Sequence, residues 1–300
     1  MRRGWIGSGD HKRAFCESFV ETHRRFRPQD IVWPDLDAEN LRRLSALPVW
    51  NEAVRTEAET AVKVQTLGAE EADPMLAKAI ALQGYEEGRH AEILRLLTRR
   101  YDIPVDAFDA PPPPKNPRWE FVSTGYGECI DAFFAFGLFA IGKRSSYLPA
   151  ALIDIFDPIM QEEARHILFV INWVAYLRAR SRLLVRPLFD LRRFWVLGKQ
   201  LAEHARHALR VGGRGSTQEG FTMTSHFVFE DLSARSFLEL CLAENDRRLE
   251  PYDSRLLRPR LVPSAARAAV RLLPRSRTSG SRETMAVSVP VSERRAPWPG

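Results

Sequence analysis

Two copies of one short motif contain the residues best suited to chemistry. The first copy spans residues 86–90, Glu-Glu-Gly-Arg-His, and the second spans residues 162–166, Glu-Glu-Ala-Arg-His. In each copy a glutamate and a histidine stand three residues apart, so on a helix both side chains lie on one side and can bind the same metal ion. One copy alone is weak evidence because these residue types are common on exposed helices. Two copies indicate a repeated functional arrangement.

Both glutamate–histidine pairs lie on the apolar seam of their helices. Glu87 and His90 continue a line of apolar residues at spacings of three and four, and Glu163 and His166 do the same in the second helix. An uncompensated charge in a core is costly, so such groups are normally paired, hydrogen-bonded or bound to metal. The pattern therefore favours four inward-facing metal ligands.

The helix that precedes each motif has a further glutamate on its apolar line. Glu57 lies 30 residues before Glu87, and Glu128 lies 35 residues before Glu163. These separations suit two pairs of antiparallel helices, each pair joined by a short loop. The candidate ligand set thus contains one glutamate from each of two helices and a glutamate–histidine pair from each of two others.

This set resembles that of the ferritin-like di-metal carboxylate superfamily, over about residues 40–180. The form Glu-Glu-x-Arg-His is also similar to the motif of the plant-type acyl-carrier-protein desaturases. The resemblance implies an all-α fold, a ferritin-like four-helix bundle, and a bridged centre of two iron ions. Manganese or a mixed manganese–iron pair is the alternative, because carboxylate and imidazole ligands suit both metals. The implied ligands are Glu57, Glu87, His90, Glu128, Glu163 and His166.

Prolines and composition divide the chain into four expected parts. Four consecutive prolines between residues 110 and 117 exclude a helix there and predict a stiff crossover between the two halves of the bundle. A shorter connection is expected from Gly68 to Pro74. The parts are an N-terminal extension with an amphipathic helix (1–39), the bundle (40–182), additional helices packed on it (183–273) and a disordered basic tail (274–300).

The helix that contains Glu128 is expected to be buried on most sides, because the run from Cys129 to Ile141 is almost entirely apolar. That run is too short to span a bilayer, so no transmembrane segment is predicted. Its phenylalanines are expected in the core, with one or two beside the metals as a further hypothesis. Asp131 is either a positioning residue for a ligand histidine or an ordinary surface or capping residue.

A later helix, expected from about Leu188 to Val211, has an apolar stripe that includes Leu191, Trp195 and Leu201 and is expected to pack on the bundle. The same helix contains a second group of ligand-type residues. We expect this group to lie on a solvated face, with a zinc or additional iron site as the alternative. Its members are Glu203, His204 and His207.

The positive charge of the chain is concentrated at its ends. The 300 residues have a formal net charge of +6, of which residues 1–27 contribute +4 and residues 255–300 contribute +8, leaving −6 for the rest. Nucleic-acid binding is therefore compatible with the composition but not favoured. Cys16, Cys129 and Cys241 form no Cys-x-x-Cys pair, which excludes a rubredoxin-type site and suits a reducing, cytoplasmic location.

The resemblance implies an O2-dependent oxygenase, oxidase or desaturase. Its partners would be O2, a small or carrier-bound organic substrate and an external electron donor, and a homodimer is compatible with the sequence. Three other classes remain open at this point: a tRNA-modifying hydroxylase, a ferroxidase or other iron-handling protein, and a non-catalytic helical binding protein. Superfamily resemblance does not fix the reaction.

Overall fold

A computed structural model of the chain describes residues 5–47, 49–145, 147–213 and 233–274, with only the backbone for residues 204, 205 and 207–213. The described residues contain α-helices and short 3-10 turns but no strand, which confirms the all-α expectation for this part of the chain. The α-helices within it are α1 (Gly9–Glu21), α2 (Ala38–Ser45), α3 (Trp50–Glu70), α4 (Pro74–Arg100), α5 (Pro117–Ser145), α6 (Ala150–Arg180), α7 (Arg186–Gly213), α8 (Ala234–Leu249) and α9 (Leu261–Leu272).

Helices α3 to α6 lie side by side around the predicted ligands. Helix α3 packs against α4 and α5, and α6 packs against α5 and α4. Only three residues separate α3 from α4, so the two helices are antiparallel neighbours. Asp73 ends this turn by accepting hydrogen bonds from the backbone N–H groups of Met75 and Leu76, and Pro74 occupies the first helical position. The segment before α5 is non-helical, as its prolines predict.

The apolar seams of these helices meet in a shared core, which also includes α1. Phe15 of α1 packs edge-on against Phe169 of α6, and Phe121 of α5 packs edge-on against Trp173. All four of these side chains are fully or almost fully buried. Helix α1 is therefore an outer helix packed on the neighbouring helices, and it lies within the N-terminal extension where the sequence predicts an amphipathic helix.

Polar residues fix the outer elements to α6. The His11 ring of α1 is hydrogen-bonded to Asn172, and Asn172 also exchanges hydrogen bonds with the backbone of Leu257, between α8 and α9. The guanidinium of Arg248, in α8, donates a 2.8 Å hydrogen bond to Asp157. Because Arg248 is almost completely buried, this contact compensates a charge that would otherwise be costly in the core.

The predicted start of the connection, at Gly68, is wrong, because α3 continues to Glu70. Gly68 is buried inside α3, where a Cβ atom would come within 3.1 Å of the Ala81 backbone of α4. Gly84 of α4 makes the reciprocal approach, since a Cβ atom there would lie 2.9 Å from the backbone nitrogen of Gln65. These glycines allow close packing of α3 and α4 and do not mark a loop.

Helix α5 is longer than the apolar run within it. By length and composition it is the helix, among the described residues, that could cross a membrane, but 56% of its most apolar window is buried inside the protein. Phe133 and Phe136 are completely or almost completely buried, and Phe134 stacks on Phe237 of α8. The phenylalanines of α5 thus belong mainly to the core, as expected.

Helix α7 does not pack as the sequence predicted. Leu191 and Trp195 of its apolar stripe are 67% and 68% exposed, and Leu201 is 42% exposed. The opposite face packs on the protein instead, through buried Val196 and through Gln200, which donates a hydrogen bond to Ser123 of α5. Hydrophobic periodicity identifies a stripe, but it does not determine which side of the helix meets the core.

Helices α8 and α9 lie within residues 183–273, where the sequence predicts additional helices packed on the bundle. Helix α8 packs against α5 and α6, and α9 packs against α8. The predicted disordered tail lies outside the described residues from residue 275 onward. Glu203 is described and lies 3.6 Å from Lys199, but the side chains of His204 and His207 lie outside the described part.

Candidate metal centre

The four central helices bring the six predicted ligand residues to one place. Glu57 comes from α3, Glu87 and His90 from α4, Glu128 from α5, and Glu163 and His166 from α6. The two imidazole rings stack with their centroids 5.6 Å apart. Glu57, Glu87, His90 and Glu163 each offer one ligand atom within a group that could hold a metal ion.

Glu87 and Glu163 lie between the two histidines. Glu87 Oε1 is 3.0 Å from His166 Nδ1, and its Oε2 is 3.9 Å from His90 Nδ1. Glu163 has the mirrored arrangement, with Oε1 3.0 Å from His90 Nδ1 and Oε2 3.6 Å from His166 Nδ1. Each carboxylate therefore presents one oxygen towards each imidazole.

Glu57 and Glu128 complete the two sides of the cluster. Glu57 Oε2 lies 3.6 Å from His90 Nδ1. Glu128 interacts electrostatically with Glu87, Glu163 and His166. Glu57 thus lies beside His90, and Glu128 lies near His166 and the two central carboxylates.

Several buried side-chain atoms of the cluster that could bind a metal ion have no hydrogen-bond partner among the described residues. They include Nδ1 of His90 and of His166, both carboxylate oxygens of Glu128, and Oε1 of Glu163. Buried polar atoms are normally satisfied, so such a concentration requires an explanation. Two of these atoms, His90 Nδ1 and Glu163 Oε1, lie 3.0 Å apart without hydrogen-bond geometry. Two atoms that bind one octahedral ion at about 2.1 Å, at a right angle, are separated by about 3.0 Å. The residues therefore fit a metal centre.

The second nitrogen of each histidine is bonded to the first glutamate of the other motif. His90 Nε2 lies 2.9 Å from Glu162 Oε2, and His166 Nε2 lies 2.9 Å from Glu86 Oε2. Helices α4 and α6 thus exchange partners, since each supplies a histidine to the centre and a carboxylate to the histidine opposite. Carboxylates in this position orient a ligand imidazole and increase its basicity.

The arginine of each motif completes the same exchange. Arg89 donates a 2.6 Å hydrogen bond to Glu162, and Arg165 donates to Glu86. Both arginines also donate to backbone carbonyls of the N-terminal region, at Arg24 and Phe19. We call the four residues Glu86, Arg89, Glu162 and Arg165 the crossed braces.

The crossed braces and the inner cluster differ in whether their carboxylate oxygens have hydrogen-bond partners. His23 joins Glu86 Oε1 from the N-terminal region, and His23, Glu86 and Glu162 lie close enough together to suggest a second metal group. However, all four oxygens of Glu86 and Glu162 accept hydrogen bonds from arginine or histidine. A second ion at this position would have to displace those donors. Among the carboxylates and imidazoles of these two groups, the unpartnered atoms belong to the inner cluster.

The braces determine which ring nitrogen faces the centre. Burial alone raises the pKa of Glu86, but hydrogen bonds from His166 and His23 outweigh it and hold that pKa well below its usual range. Glu162 has a lowered pKa for the same reason, through His90 and Arg89. An ionised carboxylate only accepts hydrogen bonds, so Nε2 of each histidine carries the proton. Nδ1 is then the atom available to a metal ion.

Without a metal ion, the histidines retain a second proton. Burial lowers the pKa of His90, but Glu162, Glu163 and Glu57 outweigh it and hold the pKa well above the ordinary value. His166 shows the same balance, in which Glu87 makes the largest opposing contribution. Metal binding must therefore displace a proton from each Nδ1.

The pKa values of Glu57 and Glu128 shift in the opposite direction from those of Glu86 and Glu162. Burial, together with the negative charges of Glu87 and Glu163, raises the pKa of Glu128 well above its usual range. Burial also raises the pKa of Glu57, to about 8, although His90 opposes the shift. The Glu57 side chain remains 25% exposed, so water screens it more than Glu128. Both groups favour the protonated form until a cation compensates their charge.

The structure also shows what the sequence prediction missed. The sequence alone assigns no role to Glu86, Glu162 and the two arginines, although their repetition in both copies is a signal. The suggestion that Asp131 orients a ligand histidine is wrong, because glutamates from the opposite helices occupy both Nε2 positions. The partner exchange depends on how α4 and α6 align in space.

No protein-family model, curated protein or solved structure matches this chain. The evidence for a metal centre is therefore the geometry of the chain's own residues.

Proposed function

We propose that this protein is a non-haem di-iron oxidoreductase built on a ferritin-like four-helix bundle, α3 to α6. Its reaction would use O2 to oxidise an organic substrate, with electrons from an external donor. The observation on which the proposal rests is the convergence of two Nδ1 atoms and unpartnered carboxylate oxygens on one buried place. Manganese, alone or paired with iron, satisfies the same donor set.

Each part of the proposed centre has a defined task. When bound, a pair of redox-active ions supplies the reducing equivalents for chemistry with O2. Glu87 and Glu163 would hold the ions together with Glu57 and Glu128, and the four carboxylates would compensate the positive charge. His90 and His166 present Nδ1 because the crossed braces hold their Nε2–H groups. The braces also anchor the centre to the N-terminal region through backbone carbonyls.

The cluster is shielded from water unequally. The side chains of Glu87, His90 and His166 are at most 2% exposed, whereas Glu163 is 12% and Glu57 is 25% exposed. We propose that O2 and substrate approach from the side of Glu57 and Glu163. Burial of Glu87, His90 and His166 restricts water around the reacting centre, which limits side reactions.

The first test is metal content. Purified protein loaded anaerobically with Fe²⁺ and then desalted should retain about two ions per chain, the number that this ligand set holds. The double variant Glu87→Ala, Glu163→Ala should lose both, because it removes both central carboxylates. The matched control is Glu52→Ala, Glu92→Ala, which changes two partly exposed glutamates of α3 and α4 that pair with arginines at the surface. It should retain the ions.

Folding must be checked in the same samples, by circular dichroism and thermal melting. A folded parent that retains no iron or manganese would overturn the di-metal proposal, and the non-catalytic binding protein would replace it. If metal is retained, O2 uptake should depend on an electron donor. The amount of O2 consumed should then exceed the amount of Fe²⁺ added. Uptake that stops in proportion to Fe²⁺ would indicate a ferroxidase instead.

A further inference from the structure

Most of the large apolar side chains that are exposed to solvent among the described residues lie on α7 or just before it. Leu188, Leu191 and Trp195 follow each other at spacings of three and four, so they share one face of the helix. They are 63%, 67% and 68% exposed. Leu183 and Leu184, directly before α7, are 74% and 97% exposed. We call these five residues the α7 outer face. A contiguous apolar surface of this kind marks an interaction site more often than a chance exposure.

The orientation of α7 is fixed by contacts on its other side. Phe189 packs against Trp119 of α5, and Arg192 lies over the same indole ring. Asp190 accepts two hydrogen bonds from Arg178 of α6. The helix therefore cannot rotate its apolar side inward without breaking an ion pair and aromatic contacts. Within the described residues nothing fills the space at Gly198, on the same side as the outer face.

Positive charge surrounds the α7 outer face. Residues 180–206 contain seven Lys or Arg and two acids, a net charge of +5. Arg182 and Lys199 are exposed. The two acids are already paired, Asp190 with Arg178 and Glu203 with Lys199. Residues 28–254, which include this segment, are negative overall, so the positive charge around α7 is a local feature.

We infer that the α7 outer face docks on an anionic lipid bilayer. A helix with leucine and tryptophan on one side and arginine or lysine beside them lies in the plane of a membrane surface, with its apolar side in the acyl boundary. Trp195 suits the headgroup level, where an amphipathic ring has both an apolar and a polar environment. The flanking cations complement the negative surface of anionic lipids. This attachment is peripheral and does not depend on the proposed redox function.

A second copy of the chain is a less favourable partner for the α7 outer face than a bilayer. A twofold contact would bring the same surface of each copy together, so the cations beside one outer face would meet those beside the other. Like charges across an interface are unfavourable. An anionic bilayer covers the same leucines and compensates the arginines at the same time. Charge complementarity therefore favours lipid over self-association.

The direct test is sedimentation of the full chain with vesicles. We expect binding to vesicles of phosphatidylcholine with 30% phosphatidylglycerol, chosen as the anionic probe, at least tenfold tighter than to phosphatidylcholine alone. Added salt should weaken this binding, because exposed charges are screened within about 8 Å at physiological ionic strength. Equal binding to both vesicle types, or none to either, would overturn the inference.

Two pairs of variants separate the apolar from the electrostatic contribution. Leu191→Glu with Trp195→Glu should reduce vesicle binding at least tenfold, and Arg182→Gln with Lys199→Gln should reduce both affinity and salt dependence. The apolar control is Val32→Glu with Leu272→Glu, since those side chains are 75% and 87% exposed elsewhere. It should bind vesicles as the parent does. All changed residues are exposed, so unchanged melting curves confirm folding.

A fluorescent probe at residue 191 reports what covers the outer face. Cys16, Cys129 and Cys241 are all buried, so the thiol introduced by Leu191→Cys is the accessible one for a polarity-sensitive label. Emission should be that of a water-exposed label without vesicles and should shift to the blue with them. An apolar signal without vesicles would overturn the inference, because another segment or a second copy already covers the face; sedimentation velocity separates these two cases. The Leu191→Glu, Trp195→Glu variant should be compared with the parent protein for binding to heparin and to vesicles. If the variant binds both as tightly as the parent does, the inference is also overturned, in favour of a general polyanion surface.

Discussion

At the residue scale, the two glutamates of each motif have different tasks although they are neighbours in sequence. Glu87 faces the centre, whereas Glu86 faces away from it and accepts from His166 of the other motif. Successive residues of a helix are separated by about 100° of rotation, so adjacent glutamates necessarily point in different directions. The doubled glutamate thus provides both a ligand and the brace for the opposite ligand.

Neutralising a brace should weaken metal binding without removing a ligand. In Glu162→Gln the ionised acceptor for His90 and Arg89 is lost, so the imidazole is less basic and less well oriented. We expect a decrease in metal affinity of roughly 10- to 100-fold, as is typical when a residue that orients a ligand is changed. Mn²⁺ titration against a competing chelator measures it. Glu86→Gln should have a similar effect because the two braces are equivalent in arrangement.

The matched control for both brace variants is Glu92→Gln. Glu92 lies on α4 as Glu86 does, but its side chain is 32% exposed and bonded to Arg99 at the surface. It should bind Mn²⁺ like the parent. If Glu162→Gln also binds like the parent while remaining folded, the crossed braces have only a structural role.

At the element scale, the sequence predicted the ligand helices well and their packing less well. Repeated spacing of three and four placed Glu57, Glu87 and Glu163 on inward faces, because local periodicity determines which residues share a helix side. Periodicity within one helix does not include the alignment of one helix with another. The crossed braces and the outward face of α7 both depend on that alignment, so neither could be read from the sequence.

Gly68 shows a second reason for an incorrect boundary. In sequence, a glycine near a turn usually predicts the end of a helix. Here it lies inside α3 because α4 passes too close for a side chain. Local sequence contains no information about the distance to a neighbouring helix, so the two explanations for a glycine cannot be separated before the fold is known.

The contact between α3 and α4 makes a sharp prediction for glycine substitutions. Gly84→Ala would place a methyl group 2.9 Å from the Gln65 backbone nitrogen and force the helices apart. We expect a loss of about 1–3 kcal/mol in the free energy of unfolding, as is typical of overpacking. Glu57 should also move away from His90, which would weaken metal binding. Urea unfolding and Mn²⁺ titration measure the two effects.

Gly88→Ala is the matched control on the same helix. A Cβ atom there meets its nearest neighbour at 3.7 Å, an ordinary contact, and the second motif has Ala164 at the corresponding position. This change should stabilise the protein by roughly 0.5–1 kcal/mol, because alanine favours a helix more than glycine does. Equal effects of the two substitutions would contradict the close-approach explanation.

At the scale of the whole molecule, the centre connects two helical pairs that are far apart in sequence. Helices α3 and α4 supply Glu57, Glu87 and His90, and α5 and α6 supply Glu128, Glu163 and His166. A proline-rich segment separates the two pairs. Ions shared by Glu87 and Glu163 would therefore cross-link the halves, and metal binding should stabilise the whole fold.

The pH dependence of stability follows from the opposing shifts in the cluster. Glu57 and Glu128 have raised pKa values, so the folded apoprotein keeps protons that the unfolded chain releases above about pH 4.5. His90 and His166 likewise keep protons that the unfolded chain releases above about pH 6.5. Where the folded state binds more protons, stability decreases as pH rises. Glu86 and Glu163 have lowered pKa values, so their contribution is lost only on acidification below about pH 4.5.

We therefore expect the apoprotein to be most stable near pH 5, within the interval between about 4.5 and 6.5, and to lose stability progressively towards pH 8. Metal binding requires the ionised carboxylates and free Nδ1 atoms that higher pH supplies, so the increase in melting temperature caused by Mn²⁺ should grow from pH 5 to pH 8. Melting curves with and without Mn²⁺ at each pH measure this increase. The Glu87→Ala, Glu163→Ala variant should show no such increase at any pH. A shift that is the same at pH 5 and pH 8 would mean that the ions bind outside this cluster, because surface carboxylates are already ionised throughout that range.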